Sequence, residues 1–140
     1  MIDLQKLLTE LFSGIAQYKP STKEIYTKDI HGDPITVEIL DAETYIVRRY
    51  YNSGKLYFQY EYQNGKLHGT NKVWYENGQI RYQHKCQNGK LHGIWKYWHK
   101  NGKLWWQHKY QNGELHGTSK EWDKNGQLWH QQEFQNGKLI

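Results

Sequence analysis

The chain has one cysteine among its 140 residues, Cys86, which excludes an internal disulfide and the usual multi-cysteine zinc patterns. Proline is confined to Pro20 and Pro34, which punctuate a single early segment. Apolar residues make up only 36% of the chain, against the roughly 45–50% of ordinary globular domains. No stretch approaches the ~20 consecutive apolar residues that a membrane-spanning helix needs, and mean hydropathy is −1.05. A secretory leader is not legible either: the first residues carry Asp3 and Glu10, and their apolar positions are spaced rather than continuous. These absences predict one small soluble domain in the cytoplasm. What the chain has in excess is rings: 7 Trp, 12 Tyr and 3 Phe. Aliphatic side chains being scarce, a core must be built mostly from aromatics, and the same rings set the sequence apart from a disordered one.

Charge is uneven. Residues 1–65 hold seven Lys/Arg against nine Asp/Glu, a net of −2, whereas residues 66–140 hold twelve against five, a net of +7. An acidic partner would be steered toward the second half.

Repetition dominates that half. Asn64-Gly65-Lys66-Leu67-His68-Gly69 returns at Asn88–Gly93 and at Asn112–Gly117, each time 24 residues on, and begins again at Asn136. A second series with the same period interleaves with it: Asn77-Gly78, Asn101-Gly102 and Asn125-Gly126, with Ser53-Gly54 as a diverged earlier copy. Asn-Gly supplies the positive φ angles of tight hairpin turns. Each 24-residue unit therefore reads as two antiparallel strands, and successive units as one continuing meander.

Alternation along the intervening runs agrees. Ile80, Tyr82, His84 and Cys86 oppose Gln79, Arg81, Gln83 and Lys85; one period on, Leu104, Trp106, His108 and Tyr110 oppose Lys103, Trp105, Gln107 and Lys109. These are half-buried strands with one ring-rich face. Gly69, Gly93 and Gly117 fall opposite ring-face positions, where a neighbouring ring would cover a glycine. Trp74, Trp98 and Trp122 are out of phase with Leu67, Leu91 and Leu115. A β-bulge after each His-Gly would return them to the ring-rich face; the alternative leaves them on the outer face.

Tyr110–Gly117 and Gly93–Leu104 carry a pattern that resembles the MORN repeat, in the variant found in bacterial antitoxin- or immunity-type proteins. The resemblance covers about residues 50–140. It implies an interaction module, and more narrowly one that neutralises a toxin or effector by occupying its surface. Copies differ within it: Asn71 and Ser119 stand where Trp95 does.

The resulting expectation is a mainly β protein, an elongated single-layer antiparallel meander of 24-residue hairpin repeats over 50–140. Residues 20–49 read as a loop with irregular strands at Ile35–Leu40 and Thr44–Tyr51. An N-terminal α-helix over 1–19 would cap them, since Ile2, Leu4, Leu7, Leu8, Leu11, Phe12 and Ile15 follow helical spacing. The chain stops inside a fresh copy, so the strand edge near Gln127–Phe134 is a candidate for pairing with a second chain.

Chemistry is harder to find. His68, His92 and His116 are equivalent, but their strands are two places apart, ~9–10 Å, too far for one metal. Cys86 reads as a buried inert thiol. No nucleophile pairs with a base, no carboxylate pair repeats, and no phosphate loop exists. Neither a catalytic activity nor a cofactor or metal is expected. The reading is protein binding through Lys96, Lys109 and Lys120, as steering charges, and Trp105 and Trp129, as anchors that stand on the otherwise polar strand face. The partner expected is an acidic protein, a toxin or effector. The alternative is anionic lipid or single-stranded nucleic acid held on a basic aromatic face.

Overall fold

A computed structural model of the chain describes residues 23–28 and 32–140. The helix expected over 1–19 lies outside the described residues. Three strands precede the repeats: β1 (Lys23–Lys28), β2 (Pro34–Ile39) and β3 (Thr44–Tyr50). The segment expected as a loop thus contains a strand. The repeats follow as β4 (Leu56–Gln63), β5 (Lys66–Leu67), β6 (Gly69–Trp74), β7 (Ile80–Gln87), β8 (Lys90–Leu91) and β9 (Gly93–Trp98). They continue as β10 (Leu104–Gln111), β11 (Glu114–Leu115), β12 (Gly117–Trp122), β13 (Leu128–Gln135) and β14 (Lys138–Leu139). All belong to one antiparallel sheet that runs in sequence order, except that β4, β7 and β10 each pair with both strands that follow them, β5 and β6, β8 and β9, and β11 and β12. No helix occurs among the described residues.

Two kinds of turn make this meander. At Asn64-Gly65 both residues have positive φ (50° and 72°), and Gln63 pairs with Lys66 across them. That is the two-residue hairpin in which backbone twist matches strand twist. Asn88, Asn112 and Asn136 repeat it. At Asn77-Gly78 only the glycine is left-handed (φ 88°). There the Gly78 N–H donates to the Tyr75 carbonyl at 2.9 Å, and the Tyr75 N–H to the Gln79 carbonyl at 2.8 Å. The same dipeptide closes a three-residue loop, a type I turn followed by a left-handed residue.

Two irregularities per unit set which side chains share a face. In the first, Leu67 lies opposite Tyr62 but Lys72 lies opposite Gln59. Five steps along one strand meet three along the other, so two residues are extra. The His68 N–H donates to the Glu61 carbonyl at 2.8 Å, and the Glu61 N–H donates to Asn71 Oδ1 at 2.9 Å. The side chain of Asn71, fully buried, thereby completes a ladder that the backbone has left. Gly69 sits at this step with φ +68°, and a Cβ there would run into the Glu61 side chain. Charged outer-face side chains, Glu61 and then Lys85 and Lys109, flank these glycines, where a covering ring was expected.

The bulge is therefore present, but an insertion of two preserves the alternation instead of reversing it. Val73 takes the position opposite Phe58 and Tyr82, and Trp74 pairs with Ile80 on the other face. The tryptophan column is half-buried there, not on the ring-rich face. The second irregularity is odd. Val73 faces Tyr82 and Trp74 faces Ile80, so Arg81 is extra. Tyr57, Trp105 and Trp129 are extra in the equivalent places. A single extra residue turns its side chain to the face of the residue that follows.

The tightest core is at the N-terminal end of the sheet, where Val37, Ile39, Tyr45 and Val47 pack together with Ile25, Phe58 and Tyr62 against them. Burial thins from there. The last strongly buried side chain is Ser119, and Leu128, Trp129, Leu139 and Ile140 are exposed. Successive units are joined by side chains as well as ladders. Tyr51 Oη donates to the Trp74 carbonyl at 2.7 Å and Tyr75 Oη to the Trp98 carbonyl at 2.9 Å. Asn77 and Asn101 reach the carbonyls of Lys100 and Lys124 in the same way.

Candidate functional site

The outer face carries the lysines. Gln59, Lys72, Gln83, Lys96, Gln107, Lys120 and Gln131 are directly paired from strand to strand, so they form one line across the sheet. At two strand spacings, its ammonium groups stand ~9–10 Å apart. Lys109 lies beside this line, exposed, on the same face as Gln107. The structure thus brings Lys96, Lys109 and Lys120 together.

It separates them from the two tryptophans. As the extra residue of its bulge, Trp105 joins the ring-rich side: its ring meets Tyr97 edge-on at 5.4 Å and lies on His99 at 5.1 Å. Trp106 stacks on Tyr97 as well, at 5.5 Å. Trp129 repeats the bulge position, touches His130 at 5.4 Å and is 63% exposed. The sequence reading put both on the polar face by strict alternation; the odd bulge is what moves them.

Tyr60, Tyr82, His84, Trp95, Tyr97, Trp106, His108 and Tyr110 form a connected run of ring contacts between 4.5 and 6.4 Å. Burial lowers the pKa of the His84 imidazole, and that of His108, for which the Glu121 carboxylate works in the opposite sense. A histidine whose folded pKa is depressed takes up its proton more readily in the unfolded chain, so acid favours unfolding. Stability is expected to be full above pH ~6.5 and to fall as pH drops below it. Thermal midpoints measured from pH 7 to pH 5 check this, and His84→Gln with His108→Gln should flatten the slope.

The Cys86 thiol is buried and its pKa raised by that burial. Among the described residues no cluster of three His, Cys, Asp or Glu side chains could hold a metal ion. One groove was not legible in the sequence. Tyr51, Tyr75, Glu76, Asn77, Arg81 and Lys100 line a depression of about 460 Å³. The signal that could have shown it is the 24-residue column Tyr57–Arg81–Trp105–Trp129, in which one member alone is a cation.

No curated protein matches the chain. Among solved structures, TarM aligns over 77% of this chain and 24% of its own, at 15% identity and a TM-score of 0.46. A mutant of S. aureus TarM in complex with Fondaparinux, alpha-GlcNAc-glycerol and UDP aligns over 79% and 23%, at 14% identity and a TM-score of 0.44. The chain thus spans about a quarter of the length of those structures. The family model described as MORN repeat variant matches residues 46–64, 67–85, 91–112 and 115–136. These four segments cover more than half of the sequence and coincide with the hairpin units, and the chain belongs to the MORN-repeat-variant family.

Proposed function

We propose that the protein is a non-catalytic binding module of the cytoplasm that holds an acidic protein, and that it neutralises a toxin or effector by covering its surface. The observation that carries the reading is the state of the ring-rich side toward the C-terminal end. Its apolar side chains are incompletely covered, with Trp105 and Trp129 41% and 63% exposed. Large rings on a rigid, preordered sheet lose little conformational entropy when a partner covers them. MORN repeats are generally binding modules, which agrees with this use. The line of lysines on the outer face contributes a long-range positive field that raises encounter rates with an acidic protein.

The test is affinity capture from native lysate followed by binding kinetics with the captured protein. Changing Lys96, Lys109 and Lys120 together to glutamine is expected to slow association about 10-fold at low salt and leave dissociation nearly unchanged. An antitoxin role further requires that adding the chain suppress the captured protein's toxicity in cells. Should the chain instead bind anionic vesicles or single-stranded nucleic acid, with a steep salt slope and no protein partner, the evenly spaced lysines would be the contact surface and the reading would be wrong.

A further inference from the structure

The chain has three arginines, and the structure treats one of them differently. Arg48 pairs with Glu38 at 2.7 Å, and Arg49 pairs with Asp33. Arg81 has no ion pair among the described residues. Instead its guanidinium lies 5.6 Å from the centre of the Tyr75 ring and 5.7 Å from that of Tyr97, while its Nε donates to Tyr97 Oη at 2.7 Å. Lys100 Nζ stands 5.9 Å from the centre of the same Tyr75 ring, and it too lacks an ion pair among the described residues.

Two cations therefore share one ring with no ion pair to either, and their mutual repulsion eases when an anion enters. The groove is also preordered. Tyr51 and Tyr75 are fixed by their hydroxyls to the carbonyls of Trp74 and Trp98, and the Arg81 side chain is held by Tyr97, leaving its terminal N–H groups for a ligand. Planar guanidinium forks match carboxylates in two-point contact. Glu76, which also lines the groove, opposes an incoming anion.

We infer that this groove receives an acidic segment of the partner protein, with a carboxylate on the Arg81 fork beside Lys100 and an adjoining apolar side chain on the Tyr51 and Tyr75 rings. It rests on the protein-binding reading and adds a site apart from Trp105 and Trp129. Only this unit can offer it, because the equivalent bulge positions are Tyr57, Trp105 and Trp129.

The experiment follows the arginine Nε–H signals of the full chain by NMR. The probe is an acetylated peptide with two glutamates beside a phenylalanine, and inorganic phosphate and acetate are titrated in parallel. Arg81 is expected to shift saturably with the peptide, while Arg48 and Arg49, already paired, stay still. Arg81→Gln should weaken the peptide at least ~10-fold, as expected for losing hydrogen bonds to a charged group, and Glu76→Gln should strengthen it about 3-fold by removing an opposing charge. Unchanged thermal midpoints in both variants show that the fold is intact. Equal small shifts of all three arginines, or indifference of binding to both substitutions, would overturn the inference. So would phosphate or acetate matching the peptide, which would mark a bare anion site. The two readings fail separately. A saturable Arg81 shift in a chain that captures no protein refutes the broader function and leaves the groove standing. Capture that is indifferent to Arg81→Gln, with no saturable shift, refutes the groove alone.

Discussion

Replacing Tyr45 by alanine is expected to cost about 3–4 kcal/mol of stability, whereas Phe134→Ala costs about 1 kcal/mol. Both residues sit on the ring-rich face, so the difference is one of position along the sheet. Tyr45 is 4% exposed and stacks flat on Tyr62, with centroids 5.0 Å apart and planes 8° from parallel. It belongs to the cluster of Val37, Ile39 and Val47. Its hydroxyl is pushed up to about 12 by burial, with Tyr62 adding to the effect. Removing it empties a ring-sized volume that β-branched neighbours on fixed strands cannot refill. Phe134 is half-buried and leaves no comparable void. Denaturant unfolding of the two variants, compared at equal m-value, is the measurement. Equal losses would mean that the sheet is supported evenly along its length, contrary to the thinning of burial toward β13.

Replacing Trp105 and Trp129 together by alanine is expected to weaken the captured protein about 100-fold while changing stability by less than ~1.5 kcal/mol. Neither ring is needed to fill the interior. Trp129 touches His130, and Trp105 lies over Tyr97 and His99 at the margin of the stacked run. Each is large enough that covering it by a partner removes substantial apolar area from water. Calorimetric titration with the double variant gives the affinity, and its melting curve gives the control. Unchanged affinity would move the contact away from this side of the sheet. A collapse of the melting curve would show that the two rings support the fold.

The hairpins were readable because Asn-Gly carries its own backbone preference. The register of Gly69 with Cys86, Gly93 with Tyr110 and Gly117 with Phe134 is the one two-residue loops predict because the extra residue at Arg81, Trp105 or Trp129 offsets the longer loop. What counting could not give was parity. The two extra residues at His68-Gly69 and the single one at Arg81 both look like slack in a 24-residue period. Only the first preserves the alternation of side chains. All three units hold it by a bond across the ladder, from the N–H of His68, His92 and His116 to the carbonyls of Glu61, Lys85 and Lys109. To this the first unit adds the buried Asn71 amide that accepts the Glu61 N–H; no local pattern announces such contacts. Nor does the dipeptide at Asn77-Gly78 say that its loop is one residue longer than that at Asn64-Gly65. The faces of Trp74, Trp98, Trp105, Trp122 and Trp129 all hinge on those two details. The candidate lysines were legible as a set because Lys96 and Lys120 are one 24-residue period apart, and the sheet sets them in one line with Gln83 and Gln107.

The ties from Tyr51 and Tyr75, and those from Asn77 and Asn101, all reach one period ahead and no further. Such wiring lets damage stay local. A chain so connected loosens by degrees from its outermost hairpin inward, and amide deuterium uptake would form a staircase rather than one common rate. It can also grow or shrink by duplicating or deleting a whole module, with each surviving junction left as it was.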